Sequence, residues 1–433
     1  MQKLALIVGK IIYKLLKLTG KRGGSLPGKI AIKICPDLLK YFTYPKTTIL
    51  VTGTNGKTST TNMIAQIFAK TGQKTITNSR GDNIINGISS LLIKNSALNF
   101  KVNAKILVLE VDELTLAKYL PMINSSDVVV TNFFRDQLDR SGEMETIITK
   151  IELALQNYTG RLFLNQDDPN VKRLLLKAKA NQIISFGLDL KSDKTQKDAQ
   201  EGKFCPVCKA PIVYESHVYS HLGKYACKNC DFGWSEPEFY AKNIDLQKMN
   251  VNGQDYYFSF DATYHVYNTL CAVAVAKTYS IETDLINAVT KNFALGIGRM
   301  EKITIAGRAL LLNLVKNPTG TNEIIKCIEK HQGKKALLLL LNDNHADGTD
   351  VSWIWDVNFE DLTDVEKIIT TGKRSYDMAL RFKLSQITQS IDVKNDHNDA
   401  ISELLSCKDC ELYVISTYTG LFTLRDELLA FDK

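Results

Sequence analysis

The chain has 433 residues, of which 44% are hydrophobic and 23% charged, with nine cysteines and a formal net charge of +7. That length exceeds what one compact core accommodates and predicts two or three domains, and the ordinary apolar and charged content excludes a disordered or fibrous protein. The charge is uneven, because residues 1–40 hold nine Lys/Arg against a single acid, Asp37.

The first predicted element is a helix that carries this basicity. At about 100° per residue, Lys3, Lys10, Lys14, Lys17 and Lys21 fall within about one sixth of a turn, while Leu4, Val8, Ile11, Ile12 and Leu15 face elsewhere. The lysines interrupt each apolar run well before the roughly 20 residues that cross a bilayer, and no small-residue cleavage site follows. Neither a transmembrane helix nor a signal peptide is expected. Two readings stay open: an interfacial helix on anionic lipid, or a helix packed on the protein by its apolar face with a solvated lysine edge. Residues 1–45 are read as this basic amphipathic segment, with Gly20, Gly23, Gly24 and Gly28 marking a loop.

Next comes a strand, Thr48-Ile49-Leu50-Val51, then a loop with Gly53, Gly56, Lys57 and Thr58, then a helical pattern through Met63, Ile64 and Ile67. Strand, glycine loop and helix in that order make a phosphate site. The glycines let backbone amides approach a triphosphate, the helix N-terminus adds partial positive charge, Lys57 reaches the β and γ phosphates, and Thr58 is a Mg²⁺ ligand. The common pattern has a glycine four residues before the Gly-Lys pair, whereas this chain has Val51 there and a glycine at position 53.

Strand–helix alternation continues to about residue 190 and predicts a doubly wound parallel sheet with its sites along the carboxyl edge. The buried strand Lys105-Ile-Leu-Val-Leu109 ends in Glu110, whose carboxylate at a strand tip is the candidate for Mg²⁺. The strand 127–131 is followed by Asn132 and the polar run from Arg135 to Arg140, and Arg161–Leu164 leads to Asn165-Gln-Asp-Asp-Pro169.

Cys205-Pro-Val-Cys208 and Cys227-Lys-Asn-Cys230 are two C-x₂-C pairs. Each pair supplies two thiolates from one turn, and together they close a tetrahedral S₄ zinc site with no open position, so the zinc is read as structural. Cys35, Cys271 and Cys327 read as core thiols, and Cys407 with Cys410 forms a third pair with no fourth to complete a site. Nine cysteines without a secretory signal predict a reducing, cytoplasmic setting. After about residue 303 the alternation resumes as a smaller α/β domain. It contains the run from Asn342 to Asp356, with Asp343, His345, Asp347, Asp350, Trp353 and Trp355, whose acids and tryptophans suggest an interaction surface.

Thr52-Gly-Thr-Asn-Gly-Lys-Thr-Ser-Thr60 resembles the ATP loop of the Mur ligases, which join amino acids to peptidoglycan precursors through acyl phosphates. The Glu110 strand tip, T-N-x-x-x-D-x-L-D at 131–139 and N-x-D-D-P at 165–169 resemble further landmarks of that family in order, while Gln137 stands where many members have a metal-associated histidine. The segment from Tyr264 through His265 and Asn268 resembles the family helix whose asparagine lies near the adenine, and Gly296-Ile-Gly-Arg299-Met-Glu301 resembles its hinge, with Arg299 toward phosphate. Asn313-Leu-Val-Lys-Asn-Pro318 resembles a further element but lacks its Asp and His. The resemblance implies ATP binding by Thr54, Asn55, Gly56, Lys57, Thr58, Ser59, Asn268 and Arg299, Mg²⁺ held by Thr58 and Glu110, and catalysis by Lys57 and Glu110.

The zinc cysteines, the acidic–tryptophan run and Thr371-Gly-Lys-Arg374-Ser-Tyr-Asp377 resemble, within that superfamily, the MurT subunits of lipid II isoglutaminyl synthases. That resemblance implies an ATP- and Mg²⁺-dependent ligase that amidates the D-glutamate α-carboxylate of lipid II through an acyl phosphate. Ammonia would come from a GatD-like glutamine amidotransferase partner whose Cys–His pair is completed by an aspartate of this chain, Asp350 with Asp347 as the alternative. The expected layout is an α/β, Mur-ligase-like ATP-binding domain at 46–300 with a zinc ribbon inserted at about 191–245, and a C-terminal α/β domain at 301–433. The expected site of action is the cytoplasm at the inner membrane face. Three other readings compete with this one. A stand-alone ligase leaves the zinc module and the acidic run unexplained. A nucleic-acid protein lacks a basic surround at the cysteines, so no nucleic acid is expected. A non-catalytic scaffold does not account for the Gly-Lys-Thr loop.

Overall fold

Unbroken apolar runs such as Ile49-Leu50-Val51, Ile106–Leu109 and Val128–Val130 suit strands covered on both faces. In the computed structural model these runs lie in β1 (Thr47–Thr52), β3 (Ile106–Glu110) and β4 (Asp127–Val130), with no residue of the runs more than 3% exposed. The structure describes residues 1–19, 24–79, 82–135, 144–190, 201–245, 247–260, 262–388 and 390–431. Lys21, the Arg80–Gly81 pair, the run 136–140 with Gln137, and 191–200 lie outside the described residues.

Contacts divide the chain into a unit of Met1–Phe134 with Met144–Phe293 and a second that begins at Ala294 and includes Arg135. In the first, β2 (Thr75–Thr77), β5 (Arg161–Asn165) and β6 (Gln182–Leu188) complete a parallel sheet ordered β2-β3-β1-β4-β5-β6. A separate antiparallel hairpin, β7 (Ile212–Tyr219) and β8 (Leu222–Cys227), precedes β9 (Phe239–Asp245), β10 (Lys248–Val251) and β11 (Gln254–Tyr257), which extend the main sheet beyond β6. The cysteine module therefore ends before β9, because buried Tyr240 and Ala241 pair in register with Gly187 and Leu188 of β6. β1 lies between β3 and β4, so the loops leaving all three converge on one edge.

Helices α1 (Gln2–Leu18), α2 (Leu26–Ile34), α3 (Lys57–Lys70), α4 (Ile85–Asn95), α5 (Glu113–Tyr119), α6 (Met144–Leu155) and α7 (Pro169–Lys172) are followed, after the hairpin, by α8 (Thr263–Thr278) and α9 (Thr283–Thr290). Ala5, Leu6, Ala31, Ile88, Leu92, Leu116 and Ile148 from α1, α2, α4, α5 and α6 share one core with Leu50, Leu107, Leu109 and Val128 of the sheet. The N-terminal helices thus belong to the first unit. α8 is buried on every side from His265 to Ala276, as expected for a helix apolar all round, and packs on α3.

The second unit is a six-stranded sheet ordered β12-β13-β17-β14-β15-β16, parallel except where β12 (Glu301–Ile305) meets β13 (Arg308–Leu314). β14 (Lys335–Leu340), β15 (Val365–Thr371), β16 (Ile391–Val393) and β17 (Glu411–Ser416) alternate with α10 (Pro318–Glu329), α11 (Ser375–Ser385), α12 (His397–Ser406) and α13 (Tyr418–Ala430). Two apolar layers, one around Trp353, Phe359 and Phe382 and the other around Ile401, Leu424 and Leu428, cover its two faces.

Candidate active site

The loop between β1 and α3 is shaped by two left-handed glycines. Gly53 has φ 120° and a Cβ there would lie 2.3 Å from Thr131 Oγ1, while Gly56 has φ 85° and a Cβ there would lie 2.1 Å from Asn268 Oδ1. Neither position admits a side chain. The segment after β4 braces this loop along its length. Thr54 N donates to Asn132 O (2.9 Å), Asn55 N to Asn132 Oδ1 (2.9 Å), and Asn132 Nδ2 and Thr131 Oγ1 both donate to Asn55 O (3.1 and 2.8 Å). Thr54 Oγ1 accepts from Phe134 N at 3.0 Å. Asn132 engages the Thr54 and Asn55 amides, and the first turn of α3 follows, from buried Lys57 through half-buried Thr58 to buried Ser59. Asn268, expected near the adenine, is buried behind the loop and accepts from Thr60 Oγ1 at 3.3 Å.

Lys57 folds back along its own loop, donating to Gly53 O, to Thr54 O (3.3 Å) and to Glu113 Oε2 (3.2 Å) at the start of α5. Glu113 is an ion-pair partner of Lys57 that local sequence does not single out from Glu110. Glu110 pairs in register with Val51 and is 2% exposed. Its Oε1 accepts from Asn83 Nδ2 at 2.8 Å, and Asn78 clamps its backbone by accepting from Glu110 N and donating to Glu110 O, both at 2.8 Å. Oε2 of Glu110 is buried without a hydrogen-bond partner among the described residues. A buried carboxylate oxygen with no donor is expensive, and a divalent cation would satisfy it. The Glu110 carboxylate therefore fits as a Mg²⁺ ligand.

The four cysteine Sγ atoms lie within 4.8 Å of one another, with Cys205–Cys230 at 3.6 Å and Cys208–Cys227 at 3.4 Å. A tetrahedral S₄ site with bonds of about 2.3 Å needs sulfurs about 3.8 Å apart, so the set fits zinc. The Ala210 amide and the Cys227 thiol draw Cys208 down to about 6, while burial and the other three sulfurs push Cys230 up to about 12, so the case for a metal rests on the sulfur geometry.

Two buried acids after β5 tie this module to the sheet. Asp167 accepts from Trp234 Nε1 (2.7 Å), Tyr267 of α8 (2.8 Å) and Leu188 N of β6 (2.8 Å). Burial pushes it up to about 6 despite those donors. Asp168 accepts from Phe133 N (2.8 Å), Asn170 N (2.8 Å) and His221 Nε2 (3.1 Å). Burial alone would lower the pKa of His221, but the Asp168 charge and hydrogen bond, with help from Glu201, raise it to about 9. In sequence Asp167 and Asp168 stand out only as part of the N-x-D-D-P family landmark. His265, by contrast, is a core histidine lowered by burial to about 4, facing Ser259 Oγ at 3.2 Å.

In the second unit the run 342–356 holds four acids; Asp343 pairs with Arg374 at 3.2 Å, and the other three differ. Asp347 is buried, and both its oxygens bond Thr419, one of them with Thr419 N at 2.6 Å. Asp356 is paired with Arg135 at 2.8 Å. Asp350 is half-buried and uses one oxygen to accept from Ser352 N at 2.8 Å, which leaves the other without a bond among the described residues. Arg299, in the second unit, lies in a turn where Met300 N donates to Asn313 Oδ1 (2.9 Å) and Gly298 N to Glu301 Oε2 (2.9 Å). Asn317 caps α10 by accepting from Gly320 N. Cys407 and Cys410 are disulfide-bonded to each other.

The Mur ligase middle domain family matches residues 51–276 and the MurT ligase C-terminal family matches residues 314–421. The MurT subunit of the glutamine-hydrolyzing lipid II isoglutaminyl synthase of Staphylococcus aureus (strain COL) is 32% identical over 98% of this chain and 97% of its own length. The corresponding subunit of Streptococcus pneumoniae (strain ATCC BAA-255 / R6) is 33% identical over 99% and 96%. The chain belongs to the MurT family. Solved structures agree on the fold. A pseudomurein peptide ligase type C from Methanothermus fervidus has a TM-score of 0.70 at 20% identity, covering 92% of this chain and 81% of that one. MurF from Acinetobacter baumannii has a TM-score of 0.65 at 17% identity, covering 93% and 80%. In this member of the MurT family the Mur ligase sheet, the four-cysteine cluster and the second unit's own sheet are all present.

Three outcomes are expected from this geometry. Glu110→Gln keeps the fold but cuts Mg²⁺-dependent ATP turnover by about 10²-fold or more, measured by phosphate release at saturating ATP. Metal analysis of the purified chain finds one zinc per molecule, and Cys227→Ser/Cys230→Ser loses both the zinc and several degrees of melting temperature. Because His221 is raised from 6.5 to about 9 in the fold, its pairing stabilises fully below pH 6.5 and is lost as pH climbs through 9. The melting temperature should therefore fall across that window, and the fall should be blunted in His221→Gln.

Proposed function

We propose that this protein is the ATP-using subunit of a two-chain amidating ligase. It converts the α-carboxylate of D-glutamate in the stem peptide of lipid II to the carboxamide of D-isoglutamine, with ammonia supplied by a GatD-like glutaminase. The observation that carries this reading is that similarity to the two MurT subunits runs through both units, from the phosphate loop to the loop that holds Asp350.

A carboxylate is a poor electrophile until one oxygen becomes a phosphate. The γ-phosphoryl group of ATP passes to the substrate carboxylate to give an acyl phosphate and ADP, ammonia adds at the carbonyl carbon and gives up a proton, and inorganic phosphate leaves with the former carboxylate oxygen. Little covalent chemistry falls to the protein, so positioning and charge stabilisation do most of the work. Lys57 exchanges its bonds to Gly53 O, Thr54 O and Glu113 for the β and γ phosphates, while Asn132 and Asn268 keep the loop from following it. Mg²⁺, when bound by Glu110 and Thr58, supplies charge neutralisation at the phosphates. Arg299 is assigned a phosphate contact. The zinc cysteines take no part in the reaction and hold the module that covers Asp167 and Asp168.

Asp350 is assigned to the partner's Cys–His pair, where its spare oxygen accepts the imidazole N–H and orients the base. Asp347 cannot do so while Thr419 occupies it. A lipid-linked acceptor places the reaction at the cytoplasmic membrane face, and no helix among the described residues is long and apolar enough to cross a membrane.

The deciding experiment is amidation of lipid II with ATP and Mg²⁺, using the chain alone, the chain with a GatD-like partner and glutamine, and the chain with ammonium instead of glutamine. Product is expected in the last two. Asp350→Asn should lower the glutamine-driven rate by about 10²–10⁴-fold and leave the ammonium-driven rate within twofold. Asp347→Asn should instead lower the melting temperature. Incorporation of a free amino acid without a partner would replace this reading with that of an ordinary ligase.

A further inference from the structure

Helix α1 presents two apolar faces, and only one is covered. Ala5, Leu6 and Gly9 are buried. Gly9 marks a close approach, since a Cβ there would come within 2.8 Å of Ile93 Cδ1 on α4. Lys10 secures the contact by donating to Ile93 O (2.7 Å) and Ser96 O (2.5 Å) at the end of α4, so this lysine does not belong to a solvated edge. On the outer side stand Leu4, Ile7, Ile11, Leu15 and Leu18, each between 45% and 83% exposed. Their spacing of three and four residues puts them in one stripe. Exposed Lys3, Lys14 and Lys17 run along one flank of that stripe, and α1 contains no acid.

A single exposed leucine is ordinary, but five aligned along a helix form a patch that calls for a partner. Charge selects it. Residues 1–40 carry nine basic side chains and one acid, and an apolar stripe edged by lysines is the composition of a helix that lies in a bilayer interface. The inner face is already pinned on α4, so the stripe is displayed without refolding and little ordering cost remains to be met on binding. We propose that α1 docks on an anionic phospholipid bilayer, with Leu4, Ile7, Ile11, Leu15 and Leu18 among the upper acyl chains and Lys3, Lys14 and Lys17 against the lipid phosphates. The docking deepens the function proposed above by giving the ligase a fixed seat beside a lipid-linked substrate. It is carried by α1 itself, and its test involves no turnover, so its failure is separable from a failure of the amidation reading.

The test is cosedimentation of the full-length protein with phosphatidylglycerol/phosphatidylcholine vesicles and with phosphatidylcholine vesicles alone, without nucleotide or lipid II. Wild-type protein is expected to bind the anionic vesicles at least tenfold more tightly than the neutral ones, and less tightly as salt rises. Ile7→Glu/Ile11→Glu should lose at least tenfold of that binding with an unchanged melting temperature. Lys14→Glu/Lys17→Glu, which leaves the stripe intact, should lose the preference for anionic lipid. Equal sedimentation of wild type and both variants would overturn the proposal. So would a lipid-free dimer, seen by light scattering, that Ile7→Glu/Ile11→Glu converts to monomer, because the stripe would then be covered by a second copy.

Discussion

The first unit depends on two adjacent carboxylates, Asp167 and Asp168, placed without solvent where β5 ends. Burying a charge is tolerable only when its lone pairs are met by well-placed donors. Here the donors come from everywhere that must be held together: β6 through Leu188 N, α8 through Tyr267, the cysteine module through Trp234 and His221, and the segment after β4 through Phe133 N. That last bond matters most for chemistry. The segment it fixes continues from Thr131 and Asn132, whose bonds to Thr54 and Asn55 hold the phosphate loop. A four-cysteine module remote in sequence from the glycine loop is thus linked to it through Asp168 and the segment after β4.

Much of this could be read before any coordinates. The glycine loop was legible because only glycine adopts φ 120° and 85° beside such close neighbours. The cysteines were legible because metal geometry dictates their spacing, and the parallel strands because burial on two faces erases alternation. What stayed hidden was pairing across distance. Asp167 and Asp168 look like a turn in sequence, and nothing local says that Trp234 and His221, more than fifty residues on, will meet them. Lys57 shows its charge but not that Glu113 balances it.

The N-terminal helix teaches the same lesson through periodicity. Its lysines trace a narrow arc, which invites the view that everything opposite is covered. The helix is apolar over most of its circumference, and the small residues Ala5 and Gly9, not the large ones, mark the covered side, because close helix approach needs small side chains. Hydrophobicity alone ranks Leu4 and Ile11 as core. Packing geometry turns them outward.

The acidic loop of the second unit shows why composition nominates a site without choosing its residue. Asp347, Asp350 and Asp356 are chemically alike, and they differ in what their oxygens already do. A carboxylate whose oxygens are taken by Thr419, or that balances Arg135, has little accepting capacity left to offer an approaching imidazole. Among the described residues Asp350 bonds only Ser352 N, through a tight local turn that fixes the side chain and leaves one oxygen unengaged there. An orienting carboxylate needs that combination of rigidity with spare accepting capacity. Asp347, locked on Thr419, instead joins the loop after β14 to the start of α13, the helix that follows β17, and so helps hold in place the loop from which Asp350 projects.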